Sequence, residues 1–191
     1  MTSVNQERGT DFLLRLLGIE DRADWTIAAR DNRNYVTDLV YGRPDWVLRN
    51  TKTAAYRIYD YKNRSLEDGD ATEYEKFQAL IYAIIVADTV GRETGVIPEV
   101  TAHLLYADNH CLQVEYDTDE IHLIGQTALE ASTAIYFLGV TQEPKQRISA
   151  SNLARYLVDP QFSNPSFGRI AAQLAGTRAH KLILHNGPVF H

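Results

Sequence analysis

Two carboxylates and a lysine within one short stretch carry the chemistry this chain is best equipped to do. Asp45 closes the polar run GRPD and opens the apolar WVL, and Asp60 and Lys62 lie in RIYDYK. The second run is rich in aromatic and β-branched residues, the composition of a strand. Side chains two apart on a strand share a face, so Asp60 and Lys62 point the same way with Ile58 behind them. Carboxylates on adjoining strands with a lysine beside them make a hard-cation site with an activated water. Downstream, Gln78 and Tyr82 stand four apart in FQALIYAIIVADTVG and look out from one helix face. Each residue also has a plainer role open to it. Asp45 terminates a strand in that reading, Asp60 and Lys62 form a surface ion pair contributing under about 1 kcal/mol, and Tyr82 packs the core.

The elements that must position these groups follow from pattern and punctuation. A short amphipathic helix is expected over 10–18, with Thr10 or Asp11 as cap and Gly18 as stop. After the turn at 31–34, YVTDLVYG alternates as one strand. Strands over PDWVLR and AAYRIYDYK follow, with a turn at 50–52, then a charged loop over 65–72 that is expected to order around a substrate. A helix over 72–90 ends at Gly91, and VTAHLLYAD and CLQVEYD form a hairpin-like pair. His103 in that pair reads as a sheet histidine and His110 as a turn residue, rather than as metal ligands. A helix over 121–139 precedes the break TQEPKQR. The last segment offers a short helix before Pro160, capped by Ser149 or Ser151, and a helical run FGRIAAQLAGTRAHKLIL carrying Gly176 and His180.

At 191 residues the chain suits one domain over 1–191 with a sizeable core, and 45% hydrophobic with 23% charged residues is ordinary for a soluble globular protein. No apolar run reaches membrane-spanning length, and the first residues lack a signal-peptide core. A single cysteine, Cys111, excludes an internal disulfide and any multi-cysteine zinc or iron–sulfur site. A cytoplasmic, intracellular setting is the resulting expectation. The net charge is −6, but its distribution matters more than its total. Residues 43–64 balance at +4 and residues 145–181 at +5, leaving −15 on the remainder. Basic charge therefore sits with the candidate motifs, although any single arginine there is as readily a solvated surface charge.

Taken together, Pro44-Asp45, Asp60-Tyr61-Lys62 and the helical Q-x-x-x-Y of Gln78 and Tyr82 resemble the PD-(D/E)XK nuclease superfamily, in particular its RecB-like exonuclease branch, which is related to CRISPR adaptation nucleases. The order of the pieces and the gap from strand to strand make the likeness more specific than any one piece. The resemblance implies an α/β fold with a central mixed sheet flanked by helices. It implies metal-dependent cleavage of DNA phosphodiesters, with Asp45, Asp60 and the Tyr61 carbonyl holding Mg²⁺ or Mn²⁺ and Lys62 orienting the attacking water. Gln78 and Tyr82 would position the strand, and Arg43, Arg64 and Arg178 would contact the nucleic acid, a single strand or duplex end.

ISASNLARYLVDPQF and the later Gly176 to His180 resemble the segment that opens such nucleases, whose helical histidine belongs to the metal site. Here it follows a core over 1–148, so the expectation is a circularly permuted nuclease, or a homodimer that swaps this segment, with His180 as a metal ligand. Asp159-Pro160 stands where cluster-bearing relatives have Cys-Pro, so no Fe–S cluster is expected. No histidine precedes position 103, and Glu7 and Glu20 are the only N-terminal glutamates available as substitutes. A second class stays open: a catalytically silent, nuclease-derived DNA-binding or scaffold subunit with protein partners in a repair or defence complex.

Overall fold

The computed structural model describes residues 14–15, 17–29, 33–66, 69–137 and 147–158. In chain order its elements are β1 (Trp25–Ala29), β2 (Tyr35–Val36), β3 (Val40–Gly42), β4 (Trp46–Asn50), β5 (Tyr56–Lys62), α1 (Glu73–Thr94), β6 (Val100–Tyr106), β7 (Cys111–Gln113), α2 (Thr118–Phe137), β8 (Ile148–Ser149) and α3 (Ala150–Val158). This is an α/β architecture. Five strands form a mixed sheet in the order β1-β4-β5-β6-β7, and a smaller sheet is ordered β2-β3-β8. No helix among the described residues is long and apolar enough to cross a membrane.

The β4–β5 hairpin is closed by side-chain mimicry of a turn. Asn50 Oδ1 accepts from the Lys52 and Thr53 amides at 2.9 and 3.0 Å, and Ala54 takes a positive φ of 58°. The antiparallel register pairs Trp46 with Tyr59 and Val47 with Ile58. Continued by one residue, it brings Asp45 opposite Asp60. After β5 the chain crosses over through α1 and returns in β6, parallel to β5, with Asp60 beside Leu104 and Lys62 beside Tyr106. A parallel pair requires such a crossover, and the helix covers the sheet face it leaves.

α1 opens with a reciprocal capping box. Glu75 N donates to Thr72 Oγ1 at 3.3 Å, and Thr72 N donates to Glu75 Oε2 at 2.9 Å. The helix continues past Gly91, where the sequence pattern stops it, and ends at Gly95 in the left-handed region, φ +77°. Gly91 instead gives room to Ile97, whose Cγ1 lies 3.1 Å from where a Cβ would stand. Ile58, Val47, Ala102 and Leu104 from the sheet meet Leu80, Ile81, Ile85 and Val86 of α1 in the main core. On the opposite sheet face Leu48, Tyr59 and Leu105 pack with Trp25, Leu14, Leu17 and Ile19. There Gly18, φ +66°, ends a helical turn as expected, with Ile19 N donating to the Leu14 carbonyl at 2.9 Å.

Three further differences from the sequence pattern have local causes. YVTDLVYG is two strands, because Thr37 Oγ1 accepts from the Leu39 and Val40 amides at 3.2 and 2.9 Å and turns the chain between β2 and β3. CLQVEYD pairs over β7 and through one further bond, Val114 N donating to the Ala102 carbonyl at 2.9 Å, after which it leaves the sheet for α2. α2 starts at Thr118 rather than 121, since Asp117 and Glu120 exchange side-chain and amide hydrogen bonds at 2.8 and 2.9 Å. Segment 147–158 joins the core: β8 adds parallel to β3, and Ser149 Oγ caps α3 by accepting from Asn152 N at 3.2 Å.

Candidate metal and catalytic centre

The end of the β4–β5 hairpin, the first turns of α1 and the start of α3 converge on one polar cluster. Asp45, exposed just before β4, turns its Oδ2 to accept from Tyr61 N at 2.7 Å, which ties the hairpin end together. Asp60 is buried, 7% exposed, facing α1 as the strand period requires. Lys62 Nζ donates to Asp60 Oδ2 at 2.6 Å and to Gln78 Oε1 at 2.6 Å. Gln78 Nε2 in turn donates to Ser151 Oγ at 2.8 Å and to Tyr82 OH at 3.3 Å.

The Asp60–Lys62 pair is not a surface ion pair, since the two side chains are 9% and 12% exposed. Burial pushes the Asp60 carboxyl up to about 6; Lys62 pulls it down, and the neighbouring Asp45 carboxylate raises it further. Burial, with the Asp60 charge adding, likewise pushes the Tyr82 phenol up to about 12. Tyr82 is 7% exposed: its ring packs the core, as the plainer reading has it, while its hydroxyl belongs to the polar cluster. Gly42 allows this approach: a Cβ there would stand 2.7 Å from Tyr82 Cε1, 2.8 Å from Ile85 Cδ1 and 3.0 Å from Ala150 Cβ.

Behind the cluster a second ion pair fixes the frame. Arg64 binds Glu75 through both carboxylate oxygens, at 2.9 and 2.6 Å, donates to the Ser65 and Asp70 carbonyls, and lies over the Tyr106 ring. Burial would raise Glu75, but Arg64 and the helix-start amides hold it at about 2. Loop residues Ser65 and Leu66 are fastened to Asp108 by a short hydroxyl bond and an amide bond. These contacts hold the start of the loop against the β6–β7 turn.

Of the residues marked out in the sequence, Asp45, Asp60, Tyr61, Lys62, Gln78 and Tyr82 come together. Arg43 is exposed beside Asp45, and the Tyr61 side chain is 47% exposed with its backbone at the cluster. Arg64 is engaged with Glu75. Arg178 and His180 lie outside the described residues, as do Glu7 and Gly176; Glu20 is exposed in the turn before β1. His103 is a buried sheet residue: it stacks on Tyr59 at 4.9 Å and meets Thr101 Oγ1 at 3.1 Å. His110 sits in the β6–β7 turn against Asp108. The sequence marks Ser151 only as an alternative helix cap. Its signal was the pair of serines in ISAS, of which only one can cap the helix.

Among the described residues no three His, Cys, Asp or Glu side chains gather in one place. Comparison with known proteins finds no matching family model, no matching curated protein and no matching solved structure.

Proposed function

We propose that the chain is a metal-dependent deoxyribonuclease that hydrolyses phosphodiester bonds in an exonuclease-like mode, within DNA repair, recombination or defence inside the cell. The observation that carries this reading is the buried Asp60–Lys62–Gln78 array with the Asp45 carboxylate at its mouth. As a purely structural device such an array is costly, because burial and the second carboxylate both oppose the charge on Asp60.

The donor set fits a hard divalent ion. Asp45, Asp60 and the Tyr61 carbonyl are all oxygen ligands, and Mg²⁺ or Mn²⁺ keeps several waters, so few protein ligands suffice. Bound there, the ion would supply Lewis-acid charge and a more acidic water. The chain's own groups do the rest. Lys62 is held between Asp60 and Gln78 with one ammonium proton left for the attacking water or a phosphate oxygen. There it orients the water and offsets charge on the pentacoordinate phosphate. Gln78 and Tyr82 flank this position from one helix face and set the strand against it. Arg43, exposed next to Asp45, is placed for a neighbouring phosphate, a contact that weakens with salt.

The test is degradation of labelled single-stranded and duplex DNA by the purified chain with Mg²⁺, with Mn²⁺ and with chelator. Cleavage that requires the hard ion supports the reading, and DNA binding without any cleavage would favour a silent scaffold subunit.

A further inference from the structure

We propose that Ser151 is a positioning residue that fixes Lys62 through the Gln78 amide, so that a segment 73 residues away completes the catalytic array. The kinetic part of this inference rests on the nuclease reading; the structural part does not.

The orientation of the Gln78 amide is dictated by chemistry. An ammonium group has only donors, so the atom 2.6 Å from Lys62 Nζ must be the amide oxygen. The amide nitrogen then faces Ser151 Oγ at 2.8 Å and Tyr82 OH at 3.3 Å, the serine being the closer acceptor. The Ser151 hydroxyl thus ties Gln78 of α1 to α3, while the same amide meets the Tyr82 hydroxyl.

Its neighbour Ser149 already caps α3, so Ser151 is not needed as the cap. Ser151 reaches the cluster because Ala150 packs under Gly42 and because Ile148–Ser149 pairs with β3. Without the Ser151 oxygen, the amide keeps only its longer contact to Tyr82. Lys62 then loses its fixed acceptor on the side away from Asp60, and its ammonium is no longer aimed. Groups supporting a catalytic residue from behind commonly matter by about 10–100-fold.

The experiment compares Ser151→Ala, Ser151→Thr and the near-isosteric, weakly accepting Ser151→Cys with wild type, each first checked for a cooperative thermal transition. In metal-free protein, the Lys62 ¹⁵Nζ and Gln78 side-chain amide resonances are followed by NMR, Lys62 being assigned with Lys62→Arg. Both should move in Ser151→Ala, return in Ser151→Thr and fall between in Ser151→Cys. In steady-state cleavage, kcat should fall about 10–100-fold in Ser151→Ala with little change in KM, and recover in Ser151→Thr. Unmoved Lys62 and Gln78 resonances in folded Ser151→Ala overturn the inference, as does an unchanged kcat beside an active wild type. If Ser151→Ala does not fold, Ser151→Cys decides by the same two criteria. A wild type that cuts no DNA overturns the proposed function instead, and the resonances alone then decide the role of Ser151.

Discussion

At the scale of single residues, Asp60 is where stability and the proposed function oppose each other. Its folded value of about 6 lies above the ordinary 3.8. Its contribution to stability is therefore fully present below about pH 4 and is lost as pH rises through about 6. Asp60→Asn keeps an oxygen for Lys62 and removes this loss. In metal-free protein at pH 8 its Tm should exceed that of wild type, by an amount corresponding to roughly 3 kcal/mol at most for about two pH units. Because the proton competes with the cation, Mn²⁺ affinity measured by calorimetry should fall about tenfold per pH unit below 6 in wild type. His103 has the opposite sign. Burial, with Arg57 adding, lowers it to about 4, so its contribution is present above about 6.5 and lost as pH falls towards 4. Thermal melts of His103→Gln should show a shallower loss of Tm from pH 7 to 4 than wild type.

At the scale of elements, the site depends on how closely β3, α1 and α3 approach at Gly42. A methyl group there would meet Tyr82 and Ile85 well inside van der Waals contact. Gly42→Ala should destabilise by about 1–3 kcal/mol in urea melts and should lower kcat by displacing Tyr82. The two halves of this junction differ in how readable they are from sequence. Asp60 with Lys62, and Gln78 with Tyr82, follow from periods of two and four, which are local. The β3–β8 pair is only two residues wide, and no periodicity announces a partner more than a hundred positions away. The same limit hid Ser151, whose partner Gln78 is distant in sequence. Glycine and alternation were the weaker local guides. Gly91 looks like a stop but serves Ile97, and the alternation of YVTDLVYG runs through a turn made by one threonine hydroxyl. The Arg64–Glu75 pair was equally hidden, since Glu75 lies eleven positions on, in the first turn of α1.

At the scale of the whole molecule, residues 147–158 lie against the core beside Gln78, and this gives the proposal of a permuted nuclease a concrete consequence. If the chain continues towards the same centre, His180→Ala should weaken Mn²⁺ binding about tenfold or more without lowering Tm in the absence of metal. Isotherms of the two proteins indistinguishable within error would remove His180 from the centre. If the histidine comes from a neighbouring copy, metal affinity should instead depend on protein concentration, and sedimentation should show a dimer. Above both questions stands the claim that the Asp45–Asp60–Lys62 array cuts DNA. The direct measurement is the rate of Mg²⁺- or Mn²⁺-dependent cleavage of labelled DNA by wild type, Asp60→Ala and Lys62→Ala, each confirmed folded by circular dichroism. Wild type should cleave, and each variant should lose at least about a thousandfold, near 4 kcal/mol of barrier. Near-wild-type cleavage in either folded variant would contradict the account.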